Sequence, residues 1–240
     1  MKISLLPPTR NRPFNMLRMV ASAYETAAEP ENVEIVFYVD DDDEASIDFF
    51  ESSIKDDYDG TKMFKGPRQY LSKCHNDAYT ICTGEIVSFI GDDVVFNTYG
   101  WDQKVKEAFT KHPDNILFVY PEDGINGVRL GAHGFIHRRW VETVGYVVPP
   151  YFSARFADTW VNEVARNIDR ACFLPDVYIE HMHYVVNKGP VDETMRQNNE
   201  RDANDNMGLV WYNTLSKRIE DAVKLGKVIG KEIKDYQRIL

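Results

Sequence analysis

The stretch GEIVSFIGDDVVF, residues 84 to 96, decides the fold of this 240-residue chain. Its apolar and β-branched run from Glu85 to Ile90 predicts a short strand buried on both faces, as in a parallel sheet. The run ends at Gly91, Asp92 and Asp93. Carboxylates at this end of such a strand lie where open α/β sheets bind ligands. They can hold a divalent cation and, through it, a diphosphate, although Asp is also common in plain turns.

The chain before and after this strand alternates strand-like and helix-like stretches. Strands are predicted at Lys2 to Leu6, Val33 to Val39, Thr61 to Phe64, Ile116 to Tyr120, Cys172 to Leu174 and Val177 to Ile179. Helical spacing is predicted after Pro13, from Glu44 to Ile54, from Pro67 or Arg68 to Ile81, from Trp101 to Phe109, from His137 to Gly145 and from Asp158. This alternation predicts an α/β fold with a mostly parallel central sheet flanked by helices.

The C-terminal part has a different pattern. Residues 198 to 206 (NNERDANDN) are polar enough for a mobile linker. From Leu215, apolar residues recur at helical spacing, which predicts one long amphipathic helix or two, with a bend near Gly226 or Gly230. We therefore expect one domain over residues 1–190 and a helical C-terminal extension over 191–240. The helix can dock on its own domain or on a second copy of the chain, and both options stay open.

Composition narrows the class of protein. Hydrophobic residues make up 43% and charged residues 28%, as in an ordinary soluble domain, and no apolar run is long enough to span a bilayer. We expect a cytoplasmic protein with reduced cysteines and no membrane contact. The net charge of −10 argues against tight non-specific binding to nucleic acid.

Four other places carry residues suited to ligand binding. The loop PTRNRP, Pro8 to Pro13, offers donors for an anionic or base-bearing ligand. The run Asp40 to Asp43 follows a strand and needs a donor-rich or positive partner. His181 and His183 fall on one face if the last strand continues, which suits a metal or phosphate site. Asp158 begins a helix, where an acid also serves as a cap.

Taken in this order, the features resemble the GT-A glycosyltransferases, in particular family 2-like enzymes. The resemblance covers roughly residues 1 to 190, and its strongest segment is Gly66 to Phe96, which is similar to the helix, Gly-Glu turn and DXD strand of that family. The chain has Gly91-Asp92-Asp93 where the family usually has Asp-x-Asp. The resemblance implies a nucleotide-sugar donor, with a UDP-sugar expected, and Mn²⁺ or Mg²⁺ as metal.

The resemblance also assigns roles to residues of this chain. The metal is expected on Asp93 with His181 or His183, and Asp158 is expected as the catalytic base. The donor-binding residues that it implies are Pro8, Thr9, Arg10, Arg12, Asp40, Asp41, Arg68, Asn76 and Asp92. These positions imply an inverting transfer in which the base takes the proton of an acceptor hydroxyl.

Two other functions compete with sugar transfer. A sugar nucleotidyltransferase usually has a glycine-rich phosphate loop after the first strand, and PPTRNRP contains no glycine. A non-catalytic nucleotide-binding or scaffold protein of the same fold is compatible with the shortened Gly-Asp-Asp motif. The acceptor stays open among a saccharide, a protein and a modified nucleobase.

Overall fold

The computed structural model describes residues 1–189 and 191–238, and within them nine strands form one mixed sheet. The strands are β1 (Ile3–Leu5), β2 (Pro8–Thr9), β3 (Val33–Asp40), β4 (Thr61–Gly66), β5 (Ile86–Phe89), β6 (Val94–Phe96), β7 (Phe118–Glu122), β8 (Gly134–His137) and β9 (Ala171–His181). The helices are α1 (Pro13–Thr26), α2 (Glu44–Ser53), α3 (Leu71–Tyr79), α4 (Trp101–Thr110), α5 (Arg138–Val144), α6 (Ala157–Asn167), α7 (Glu193–Asn204), α8 (Met207–Asn213) and α9 (Leu215–Val228). Short 3₁₀ turns lie at Pro30–Asn32, Gly127–Arg129 and Tyr184–Val186.

The first half of the sheet is parallel. Strand β1 pairs with β3 and β5, and β3 also pairs with β2 and β4, all in parallel. Strand β8 then runs antiparallel to both β5 and β7, β9 is parallel to β7, and β6 is antiparallel to β9. The predicted α/β fold with a mostly parallel sheet is confirmed.

Helices cover both faces of the sheet, and β3 is therefore buried along its whole length. Alternate side chains of a strand point to opposite faces. Val36 and Tyr38 therefore join the core under α3, α5 and α6, whereas Ile35 and Phe37 join the core under α1, α2 and α4.

The C-terminal helices share the first of these cores. Trp211 of α8 and Leu225 of α9 are buried in it with Trp160 of α6. The apolar face of α9 packs on α5 and α6 of the same chain, which is the first of the two docking options. Association of copies through this helix stays a prediction, and so does the division of the chain at residue 190.

Two predictions about local structure were wrong. Residues 198 to 204, expected as part of a mobile linker, belong to α7, because Asp192 caps this helix and Asp202 is buried against Ser153. The two late strands are one strand, β9, with a register shift opposite Pro121 and Glu122. In the part of the chain that the structure describes, no helix is both long and apolar enough to cross a membrane.

Candidate active site

A cleft of about 680 Å³ opens at the carboxyl ends of β1, β3 and β5. Its walls are the loop that follows β1, the amino end of α6 and the segment from β9 to α7. This is the edge at which open α/β sheets bind ligands. All the site residues predicted from the sequence line the cleft except Asp41 and Asn76.

The loop after β1 meets the end of β3 through ion pairs. Arg10 Nη1 donates to Asp40 Oδ2 at 2.8 Å and also contacts Asp42. Burial raises the pKa of Asp40, and the Arg10 guanidinium opposes that shift. Asp43 caps α2 and accepts a hydrogen bond from the Asn11 amide, so the loop and the aspartate run hold each other in place.

Arg12 joins two sides of the cleft. Its guanidinium donates to Asp92 Oδ1 at 3.0 Å and grips Asp192 at 2.7 and 2.9 Å. Asp92 is buried, and its other oxygen accepts from Thr9 Oγ1 at 2.7 Å. Burial raises the pKa of the Asp92 carboxyl, although the positive charge of Arg12 acts to lower it. Both oxygens of Asp92 are thus engaged within the protein.

Asp93 forms a cluster with two histidines. Among the described residues, ligand atoms of Asp93, His133 and His181 lie within 4.8 Å of one another. Asp93 Oδ2 is 3.5 Å from His181 Nε2, and the rings of His133 and His181 meet edge to face at 4.5 Å. Gly91 leaves room for this arrangement, because a Cβ there would lie 2.6 Å from Asp93 Oδ1. A carboxylate and two imidazoles can hold a divalent transition metal.

The charges in this cluster depend on one another. Burial acts to raise the pKa of Asp93, but the hydrogen bond and charge of His181 outweigh it, and the pKa is lowered. Burial acts to lower the pKa of His181, and Asp93 reverses that shift. His133 is desolvated and lies beside His181, so its pKa is lowered. The cluster is therefore a carboxylate beside imidazoles of different basicity.

Asp158 lies in the first turn of α6 and lines the same cleft as the loop after β1. Its Oδ1 accepts from the backbone N–H of Thr159 at 2.7 Å and from the Thr159 hydroxyl at 3.3 Å. Burial raises the pKa of its carboxyl. Phe156 begins the turn with φ of 72°, a left-handed conformation rare for an aromatic residue. It stacks on Trp211 of α8 with ring centroids 5.4 Å apart.

Helix α7 contributes to the wall of the cleft. Thr194 Oγ1 donates to the Arg10 carbonyl at 3.0 Å, and Arg201 donates to the Gln69 carbonyl at 3.1 Å. Arg68 contacts Gln197. Polar side chains thus connect this helix to the predicted donor loop on one side and to the residues before α3 on the other.

Two predicted donor-binding residues lie away from the cleft. Asp41 is exposed, and its backbone N–H donates to the Gly66 carbonyl at 2.7 Å. Asn76 donates to the Val148 carbonyl at 2.8 Å and accepts from the Val147 amide at 2.8 Å. The amide of Asn76 thus holds the loop before α6, and the structure gives it no contact with the cleft.

The cluster contains His133, which had no predicted role, and does not include His183, which the sequence predicted as a metal residue. Strand β9 ends at His181, so His183 caps the next 3₁₀ turn, and its ring lies 4.9 Å from that of His181 but outside the three-residue cluster. His133 was missed by sequence reasoning. Its signal was a histidine between small residues in GAHGFI, but only the pairing of β8 with β5 places it beside Gly91. Other lining residues without a predicted role include Arg155, Phe156, Tyr184 and Arg201.

The sheet order, the cleft and the acidic motif define a GT-A nucleotide-binding α/β fold. Residues 4–162 match the family model described as Glycosyl transferase family 2. The chain belongs to this family. No significantly similar sequence was found among the curated proteins.

Solved structures with the same fold include two glycosyltransferases. The mannosyltransferase PcManGT from Pyrobaculum calidifontis, in complex with GDP-Man and Mn²⁺, aligns with a TM-score of 0.64 and 16% identity over 76% of this chain and 57% of that chain. TarS 1-349 from S. aureus in complex with UDP aligns with a TM-score of 0.61 and 13% identity over 75% of this chain and 60% of that chain. The chain thus covers about three fifths of the length of these proteins, and the likeness establishes the fold.

Proposed function

We propose that this protein is a metal-dependent, inverting glycosyltransferase that moves a sugar from a nucleotide-sugar donor to an acceptor hydroxyl. One observation carries the proposal. The same cleft is lined by Asp93 and His181, which can hold a metal, by an arginine-rich loop and by the carboxylate-bearing Asp158. Family membership supports sugar transfer, and the neighbours' complexes with GDP-Man and UDP support a nucleotide-linked donor.

Mn²⁺ or Mg²⁺ is the metal that we propose, held by Asp93 and His181. Bound there, it supplies positive charge that stabilises a diphosphate as a leaving group. The cluster fits such an ion, because Asp93 Oδ2 and His181 Nε2 lie 3.5 Å apart and the neighbouring His133 Nε2 is buried with no hydrogen-bond partner within residues 1–189 and 191–238. The ring of His183 lies 4.9 Å from that of His181, and we do not assign His183 as a metal ligand.

The donor lies, in this proposal, between the loop after β1 and the sheet edge. Asp40 is half of a buried ion pair with Arg10, so it presents a fixed acceptor to the base or ribose. The cleft carries local positive charge although the net charge of the chain is −10, because it is lined by Arg10, Arg12 and Arg68. Pro8 and Thr9 form the adjoining wall. We propose a UDP-sugar as donor, with GDP-mannose as the comparison that the neighbouring fold suggests.

Asp158 is the proposed general base. Its Oδ1 accepts both hydrogen bonds from Thr159, so we assign Oδ2 to the acceptor hydroxyl. The acceptor oxygen forms a bond to the anomeric carbon as the bond to the diphosphate breaks, and its proton passes to Oδ2. A pKa raised by burial makes this carboxylate a better base than an exposed one.

The test begins with donor hydrolysis and thermal stability. UDP-sugars and GDP-mannose are each added with Mn²⁺, Mg²⁺ or EDTA, and nucleotide release is measured together with the melting temperature. Metal-dependent release with one donor supports the transferase. A rise in melting temperature without release with any donor or acceptor favours the non-catalytic nucleotide-binding protein.

Substitution of the base separates its role from folding. Asp158→Asn is expected to lower transfer by about 10² to 10⁴-fold while leaving UDP binding unchanged. Asp176→Asn, at an exposed aspartate of β9, is the matched control and should leave both unchanged. Full turnover by Asp158→Asn would show that another group takes the proton.

A further inference from the structure

We propose that His133 is a third protein ligand of the metal, so that Asp93, His133 and His181 bind a transition-metal ion before any nucleotide arrives. Ions of this class include Mn²⁺, Fe²⁺ and Co²⁺. The inference rests on the proposed function only in that the same ion would serve the donor. It goes beyond that function in the ligand set, the metal preference and the order of binding.

The spacing of the three groups matches a single ion. Two ligand atoms about 2.1 Å from one ion lie roughly 3.0 Å apart at a right angle and roughly 3.4 Å apart at the tetrahedral angle. His181 Nε2 and Asp93 Oδ2 are 3.5 Å apart, and the ligand atoms of all three side chains lie within 4.8 Å. Little movement is needed to bring them to one ion.

The ring nitrogens of His133 make no strong hydrogen bond within the described part of the chain. The side chain is 7% exposed, and its Nε2 is buried without a hydrogen-bond partner in the described part of the chain. Its Nδ1 accepts a 3.4 Å contact from the Gly91 amide, which is at the long limit for a hydrogen bond. Binding through Nε2 places the ring proton on Nδ1, so Nδ1 no longer accepts from the Gly91 amide and this long contact is lost. An imidazole nitrogen buried at a cluster with a carboxylate is suited to a metal.

Two strand pairings hold the ligands. His181 pairs with Val94, the residue after Asp93, and Gly134, the residue after His133, pairs with Phe89. The Met182 amide also donates to the Asp93 carbonyl at 2.7 Å. Because all three ligands lie at the ends of paired strands, the site is formed without help from a nucleotide.

The ligand types decide which metal is preferred. Mg²⁺ favours oxygen ligands and retains several waters, whereas imidazole suits first-row transition metals. One carboxylate with two imidazoles, leaving the cleft side open, is a ligand set used for such ions. We expect Mn²⁺ and Co²⁺ to bind about tenfold or more tightly than Mg²⁺ in the absence of nucleotide.

Metal binding without donor tests the inference. The full chain is stripped with EDTA and titrated with Mn²⁺, Co²⁺ or Mg²⁺, following calorimetric heat and the Co²⁺ absorption spectrum. His133→Asn is expected to weaken Mn²⁺ and Co²⁺ binding by about tenfold or more and to change the Co²⁺ spectrum. His112→Asn, at a histidine that does not line the cleft, is the control and should leave both unchanged. Melting temperatures in EDTA verify that the variants fold.

A second measurement applies to the unmodified protein. Pulsed electron paramagnetic resonance of bound Mn²⁺ counts coordinated imidazole nitrogens, and two are expected. One nitrogen, unchanged binding by His133→Asn, or equal affinity for Mg²⁺ would overturn the inference. Transfer activity is not part of either readout. A chain that binds Co²⁺ through His133 but transfers no sugar supports this inference while the proposed function fails.

Discussion

Replacement of Arg218 is expected to loosen the C-terminal helices from the rest of the protein. Arg218 is 1% exposed, and its Nε donates to Glu163 Oε1 at 2.7 Å. Its Nη1 donates to the Trp211 carbonyl at 2.8 Å, and the guanidinium lies 3.5 Å from the Trp211 ring. One side chain of α9 thus connects α6 and α8 through a buried charge.

The magnitude follows from that burial. Arg218→Met keeps most of the apolar stem but removes the positive charge from beside Glu163, whose side chain is 0% exposed. Removing one member of a buried ion pair costs about 3–5 kcal/mol, to which the lost cation–π contact adds up to about 2 kcal/mol. For a chain of this size, we expect a fall in melting temperature of roughly 10 °C.

Urea unfolding followed by circular dichroism measures the effect. Lys217→Met is the matched control, because it removes a neighbouring cation of α9 whose partner Glu220 is exposed, and it should change the free energy of unfolding by less than about 1 kcal/mol. Combining Arg218→Met with Glu163→Gln removes both charges and should recover more than half of the lost stability. If Arg218→Met unfolds at the same urea concentration as Lys217→Met, the buried pair does not hold the C-terminal helices.

Three further predictions concern other parts of the chain. Burial acts to raise the pKa of Glu34, but hydrogen bonds from its neighbours lower that pKa from 4.5 to about 2. The ionised Glu34 therefore contributes its full stabilisation above the pKa of the unfolded chain, and this stabilisation is lost as pH falls towards 2. Glu34→Gln should therefore be less stable at about pH 7 but lose less stability between about pH 5 and pH 3, measured by urea unfolding. Asp192→Asn keeps the cap of α7 but weakens the ion pair with Arg12, which leaves Arg12 freer to bind phosphate, so UDP should bind several-fold more tightly in calorimetry. Weaker binding would mean that Asp192 positions Arg12 for the ligand. Gly134→Ala places a Cβ 2.1 Å from a ring carbon of β7 and should cost about 1–3 kcal/mol, whereas Gly208→Ala meets open space in α8 and should stabilise by up to about 1 kcal/mol in thermal denaturation.

Strong local patterns made the fold predictable. Apolar runs such as Val33 to Val39 lie within strands, and Gly145 ends α5 in the left-handed conformation with φ of 99°. The failures lie where contacts distant in sequence decide the outcome. Residues 198 to 204 are polar enough for a linker, yet Asp202 is buried against Ser153 and fixes them as a helix. No spacing rule within one segment reports such a contact.

In the candidate site, too, local patterns were predictable and contacts between distant segments were not. Asp93, His181 and Asp158 were predictable, because each stands at the end of a recognisable element in a known order of motifs. His133 was not, since its place beside Gly91 depends on β8 pairing antiparallel to β5. Asn76 was predicted at the donor, whereas its amide bonds to Val147 and Val148, because its position in α3 does not reveal which way the amide points.

The C-terminal helices are connected to the proposed base as well as to the core. Phe156 adopts its left-handed conformation directly before α6, and such strain persists only where the surroundings hold it. Trp211 supplies part of that support, because its ring stacks on Phe156 while its other contacts tie it to Arg218. A loosened α8 would therefore allow the turn to relax and would move Asp158 at the start of α6. We expect Arg218→Met, assayed well below its melting temperature, to lower transfer more than it lowers UDP binding, because the contacts of Arg218 lead through Trp211 and Phe156 to the turn that precedes Asp158.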